Sequence, residues 1–228
     1  MNTKTLIMHL FNNKHVSLSL IKQKLNTSFI NANQVFHELL DYGYVVKEGD
    51  NYVLNKPKIK QHFNLEKVQK MKAIFLDVDG VLNCRTTTDL CGVYRGIEDK
   101  KVFLLKMLQT ISHAKIVLIS TWKYEWYKDN KSAQDFLANY LDKKLAKQGL
   151  KIFDKAEDSY FGLRGEGVLE YIENLQNEGI LVEKYVILDD EMFDYESSEL
   201  IDHVVKTDFE ENGLEAKHIE KAVKLLID

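Results

Sequence analysis

Lys72-Ala-Ile-Phe-Leu-Asp-Val-Asp-Gly-Val-Leu-Asn83 is the stretch that organises the rest of the chain. Ala73 to Leu76 are all apolar, which predicts a strand buried on both faces, as in the middle of a parallel sheet. The strand runs directly into Asp77, Val78, Asp79 and Gly80. Unpaired carboxylates inside a sheet cost far more than strand propensity returns, so both acids belong at the strand's carboxyl end. Open α/β sheets place their ligands at that edge. Alternation puts Asp77 and Asp79 on the same side of the chain, with a turn at Gly80. Two carboxylates aimed together suit a hard cation such as Mg²⁺, which takes one or two of them with water and phosphate oxygens. A plain strand-to-turn junction would use the same Asp-Gly chemistry, so the remaining chain has to decide.

A second apolar run, Lys184-Tyr-Val-Ile-Leu188, also ends in acids, Asp189 and Asp190. Adjacent like charges repel unless a cation sits between them. Two acidic strand ends in one chain therefore point to a divalent-cation site. Further strands are expected at Lys115-Ile-Val-Leu-Ile119, Leu150–Phe153 and His203–Lys206. Helices are expected at Asp99–Ile111, Ala133–Gln148, Gly165–Gln176 and Leu214–Leu226. Their alternation predicts an α/β, doubly wound, Rossmann-like parallel sheet with the acids at its carboxyl edge.

The chain's three arginines are distributed unevenly. Arg85 and Arg95 follow the first acids, and Arg164 stands at the entrance of a helix. A guanidinium fork matches phosphate oxygens in a way that an ammonium does not, so all three are candidates for phosphate or substrate contact. The stretch from Trp122 to Tyr127 gathers both tryptophans, two tyrosines and Lys123. It reads either as a helix start packed on the core or as a rim where a base or sugar could stack.

Composition bounds the possibilities. The formal net charge of −4 and the 45% hydrophobic content are ordinary for a globular protein. No apolar run is long enough to span a bilayer, and the first residues lack a basic-then-apolar signal pattern. Cys84 and Cys91 make no disulfide framework, and their spacing is not that of a metal knuckle. A cytoplasmic protein without a membrane partner is the expectation.

Asp77-Val-Asp-Gly-Val resembles the first motif of haloacid dehalogenase-like (HAD) phosphohydrolases. The resemblance implies that Asp77 is the nucleophile and Asp79 the general acid/base, with Mg²⁺ as cofactor. The strand ending in Ser120 resembles the second motif, whose hydroxyl holds the phosphoryl group; Thr121 is the alternative occupant. Arg164 matches the third-motif cation, with Lys155 as the alternative, and Asp189-Asp190 matches the metal-binding fourth motif. The implied catalytic set is Asp77, Asp79, Ser120 and Arg164, and the implied metal set is Asp77, Asp79, Asp189 and Asp190. Arg85, Arg95, Thr121, Trp122 and Lys123 are the substrate-binding candidates. Residues 83–114 and 165–184 leave no room for the cap domain that many members carry. Over residues 72–228 the elements Ile119-Ser-Thr-Trp-Lys123, Val186-Ile-Leu-Asp-Asp190 and Asn212-Gly-Leu214 resemble the HAD domain of Swiss-army-knife RNA-repair proteins. That implies a phosphoric monoester hydrolase acting on a phosphorylated substrate such as a nucleotide or a nucleic-acid end.

The N-terminal part has a different surface, with eight lysines against four acids in residues 1–60. Apolar spacing predicts helices over Thr3–Phe11, Ser17–Leu25 and from Asn31 to Gly43, then a hairpin of Tyr44–Val46 and Tyr52–Leu54. Three helices and a hairpin make the winged-helix pattern, and Val16–Leu25, Ala32–Leu40 and Gly43–Val46 resemble the winged-helix gamma domain of bacterial DNA translocases over roughly residues 3–55; the domain is taken as 1–56, followed by a linker over 57–71. The resemblance implies a third helix that reads a DNA groove, but residues 31–43 hold no Lys or Arg. Asn31, Asn33, Gln34 and His37 are its polar candidates, and the module binds either nucleic acid or protein. A winged-helix regulator whose HAD-like part senses a phosphorylated ligand is the alternative to an enzyme.

Overall fold

In the computed structural model the apolar run forms β3 (Gln69–Leu76), and its residues Ala73 to Leu76 are completely buried. The model describes residues 6, 7, 10, 13, 15–62, 69–160, 162–195 and 200–227. The chain divides into two compact units, residues 1–69 with 173–181, and residues 70–172 with 182–228.

In the larger unit β3 lies at the centre of a five-stranded parallel sheet. It is joined by β6 (Lys115–Leu118), β7 (Ile152–Lys155), β8 (Ile180–Asp189) and β9 (Val204–Lys206), in the order β7-β6-β3-β8-β9. Strand order reverses at β3, with β6 and β7 added on one side and β8 and β9 on the other, so the gap beside its carboxyl end is the place such a fold leaves for a ligand. Alternation along β3 assigns its two faces. Ile74 and Leu76 join a core with Val102, Leu105 and Leu108 of α4 (Asp99–Ser112) and Ile219, Ala222 and Leu226 of α7 (Ala216–Ile227). Phe75 points the other way and meets Tyr171 and Tyr185 edge-on, with ring centroids 6.0 and 5.9 Å apart. Tyr171 sits on α6 (Arg164–Asn177), and α5 (Phe136–Ala146) adds Ala138, Leu141 and Leu145 to the first face. Between Asn83 and Asp99 the chain forms only the two-residue strands β4 (Leu90–Cys91) and β5 (Tyr94–Arg95), so no cap domain follows the first acids.

In the smaller unit Leu6, Ile7 and Leu10 are helical and buried; the rest of the expected first helix lies largely outside the described residues. Then come α1 (Leu18–Leu25) and α2 (Phe29–Asp41), each started by a serine hydroxyl that accepts a backbone N–H, Ser17 from Leu20 and Ser28 from Asn31. The Ser28 cap starts α2 at Phe29, two residues before the expected start at Asn31. Strands β1 (Val45–Glu48) and β2 (Asn51–Leu54) form the hairpin, Val45 opposite Leu54. The expected linker starts instead as helix α3 (Lys56–His62), because Ile59 is apolar at a position it can bury with Leu39, Val45 and Leu54. Within the expected linker, residues 63–68 lie outside the described set, and Gln69–Met71 belong to β3. Among the described residues no helix is long and apolar enough to cross a membrane.

Candidate active site

The two acid-bearing strand ends are held side by side. Asp77 directly follows β3, Asp189 closes β8, and the Asp77 amide donates to the Leu188 carbonyl at 2.9 Å. Carboxylate oxygens of Asp77, Asp189 and Asp190 come within 4.8 Å of one another, with Asp77 and Asp189 buried and Asp190 half-buried. Such crowding is unfavourable without a counter-charge. Burial first, and then Asp189, push the Asp77 carboxyl well above its usual range, while Arg164 works in the opposite direction. The same two causes push Asp190 up to about 6. Three converging carboxylates held against their own repulsion fit a hard divalent cation by donor type and by charge.

Arg164, the first residue of α6, supplies the protein's own counter-charge. Its Nη1 lies 2.6 Å from Asp189 Oδ2 and 3.5 Å from Asp77 Oδ1. Burial acts to lower its pKa, but Asp77 and Asp189 outweigh that and hold the guanidinium above its ordinary value. Asp189 Oδ2 also accepts from the buried Tyr195 hydroxyl at 2.7 Å, and its Oδ1 from the Glu191 amide at 3.0 Å. Arg164→Met would leave these acids with no guanidinium. The expected result in metal-free protein is a loss of about 3 kcal/mol in urea unfolding, the cost of breaking a buried ion pair from one side.

Asp79 is held apart from this cluster. Its Oδ1 accepts from Asn83 Nδ2 at 2.7 Å and its Oδ2 from the Trp122 indole N–H at 2.9 Å. Asn83 in turn accepts the Gly80 amide at 3.0 Å, which closes the turn after the strand. Gly80 has φ +77°, and a Cβ there would overlap the Asp190 carboxylate, so only glycine lets the two acidic loops meet. Asp79 was expected to join the metal ligands through its carboxylate. The three-carboxylate cluster consists of Asp77, Asp189 and Asp190, while each Asp79 oxygen accepts one N–H, from Asn83 and from Trp122.

A cleft of about 450 Å³ opens over these groups. Asp77, Asp79, Thr121, Arg164 and Asp190 line it together with Glu191 and residues 206–210. Ser120 does not line it. Its buried side chain faces the amide of Trp122 at the start of a 3-10 turn (Thr121–Lys123), and the alternative, Thr121, is the residue at the cleft. Lys155 reaches Glu157 at 2.8 Å and the Lys123 carbonyl at 3.1 Å, so Arg164 rather than Lys155 is the cation beside Asp77.

Of the two readings of Trp122–Tyr127, packing on the core describes the two tryptophans and Lys123, and the rim reading is left only the exposed Tyr124 and Tyr127. Both indoles are buried in the core, where a large apolar ring gains most. Lys123 is buried too, its ammonium 2.6 Å from Asp158 and 3.1 Å from the Ile119 carbonyl, and burial lowers its pKa despite Asp158. Tyr124 and Tyr127 stay exposed. Arg85 and Arg95 do not line the cleft and instead meet residues that do. Arg85 pairs with Glu210 at 2.6 Å, and Arg95 lies 5.7 Å from the Phe209 ring. Asn83, Tyr195, Thr207 and the wall residues Phe209 and Glu210 were not expected as site residues. Asn83 alone carried a signal, standing four residues after Asp79 in the first acidic stretch.

Compared with known protein families, residues 73–219 match the HAD domain in Swiss Army Knife RNA repair proteins, well over half of the chain. The chain belongs to this HAD domain family. The match makes the larger unit a HAD-type phosphohydrolase domain with a phosphorylated substrate. The match begins at Ala73 and does not include residues 1–72. No curated protein and no solved structure matches the chain.

Proposed function

We propose that the HAD domain is a Mg²⁺-dependent phosphomonoesterase working through phospho-Asp77, with a phosphorylated nucleotide or nucleic-acid end as substrate. The observation that carries the reading is the convergence of Asp77, Asp189 and Asp190 beside Arg164, with Asp79 poised separately on the same cleft. Asp77, Asp189 and Asp190 would hold the cation, which when bound neutralises the charge that Asp77 and a phosphate bring together. An Asp77 oxygen attacks phosphorus, and the bond to the leaving oxygen breaks as the acyl phosphate forms. Asp79 gives its proton to that oxygen and then takes one from the water that attacks phospho-Asp77. Arg164 steadies Asp77 and offers its guanidinium to the phosphoryl oxygens. The open cleft without a cap domain and the RNA-repair family favour a substrate too large to enclose.

Hydrolysis of an aryl phosphate with Mg²⁺, beside EDTA, tests the chemistry. Turnover that survives EDTA would sink the metal-dependent reading. Mg²⁺ affinity should also weaken as the pH falls through about 6, because protonated Asp190 cannot serve as a ligand. The linkage has a definite sign. A carboxyl raised above its unfolded value destabilises the metal-free fold as pH rises from its ordinary range near 3.8 to about 6. Calorimetric titration at pH 5 and pH 8 measures the first effect, and equal affinities would remove Asp190 from the metal set.

For residues 1–56 we read a winged-helix-like module that docks protein. Phe29 and Ile30 at the start of α2 are 57% and 79% exposed, and residues 31–43 carry no Lys or Arg for phosphates.

A further inference from the structure

The loop between β9 and α7 lines part of the cleft, and both its ends bond the acidic turn after β3. Thr207, buried, donates its amide to the Asp189 carbonyl at 2.9 Å and its hydroxyl to the Gly80 carbonyl at 2.7 Å. One residue just past the edge strand thus ties together the end of β8 and the loop after β3. Gly80 is also the residue whose missing Cβ admits the Asp190 carboxylate. The position of its backbone therefore governs how closely Asp190 approaches Asp77.

The far end of the same loop repeats the arrangement. The Leu214 amide donates to the Val81 carbonyl at 3.0 Å. Gly213, at φ +57°, packs so tightly that a Cβ would lie 2.7 Å from the Asn83 carbonyl and 3.1 Å from those of Gly80 and Val81. Lys101, whose side chain is almost wholly buried, donates its ammonium to the Asn212 carbonyl and anchors the loop to α4. Loop 207–214 therefore grips residues 80–83 at both ends.

We propose that Thr207 is a positioning residue that sets the spacing of the Asp77 and Asp189-Asp190 strand ends for the divalent cation. The inference rests on the metal reading given above. Groups that orient metal ligands without touching the metal typically cost 10–100-fold in affinity or activity when removed. Thr207→Val keeps the shape and the amide and removes only the hydroxyl donor. Thr207→Ser keeps the donor and removes a methyl.

Calorimetric titration of the full chain with Mg²⁺, stripped of metal beforehand, tests this without reference to turnover. Wild type should bind, Thr207→Val should bind about 10-fold more weakly, and Thr207→Ser should lie within about 3-fold of wild type. A purely structural role would lower the melting temperature of Thr207→Val and leave its Mg²⁺ affinity unchanged, which would overturn the proposal. Should Thr207→Val fail to fold, Gly213→Ala decides. Its Cβ displaces residues 80–83 from the other end, and wild-type affinity there would equally overturn the idea. Wild type that binds no Mg²⁺ overturns the metal reading itself and this inference with it.

Discussion

Asp77→Asn should abolish Mg²⁺-dependent hydrolysis of an aryl phosphate, by at least about 10⁴-fold in turnover, the scale seen when a covalent nucleophile is removed. The amide nitrogen and oxygen are of nearly the same size as the carboxylate, so packing gives no reason for the loss. The same substitution should make the metal-free protein more stable. Asp77 is buried against Asp189 and Asp190, and the burial and repulsion that raise its pKa disfavour its charged form in the fold. Removing that charge relieves the crowding, and each kcal/mol gained raises the melting temperature by about 2–4 °C for a chain of this size. Mg²⁺ should then stabilise the variant less than wild type, since one ligand has lost its charge. Thermal melts in EDTA and in Mg²⁺, beside the assay, read all three effects. Full turnover in Asp77→Asn would end the phospho-aspartate mechanism.

Asp79→Asn should cost about 10²–10⁴-fold in turnover, because an amide cannot pass a proton to the leaving group or accept one from water. Asp79 receives one N–H from Asn83 and another from Trp122. An asparagine has one acceptor oxygen, so one of those two donors would face its NH₂, and a modest loss of stability should accompany the kinetic one. Mg²⁺ affinity supplies the control. With Asp79 outside the carboxylate cluster, the variant should bind Mg²⁺ within about 3-fold of wild type. A large loss of affinity would place Asp79 among the ligands instead.

Sequence alone determined the sheet, the position of its central strand and the acids at its edge. An apolar run that stops at a carboxylate admits few folded solutions, because burying an unpaired charge is so costly. Asp77, Asp79, Arg164 and Asp190 all line one cleft, and Asp189 closes the cluster behind them. These were legible because each stands at the end or entrance of a regular element, where local pattern fixes the address. Tertiary structure alone decided what lies between the elements. Trp122 and Lys123 look like a rim in sequence, yet the 3-10 turn buries both, and Asp79 and Asp158 are the partners that make their burial possible. Ser120 and Thr121 are adjacent and chemically alike, and only the turn shows which one lines the cleft. Thr207 and Tyr195 carry no local signal at all. Thr207 acts through the carbonyl of Gly80, 127 positions away in the chain, and such a contact is set by strand order and packing, which no local periodicity encodes.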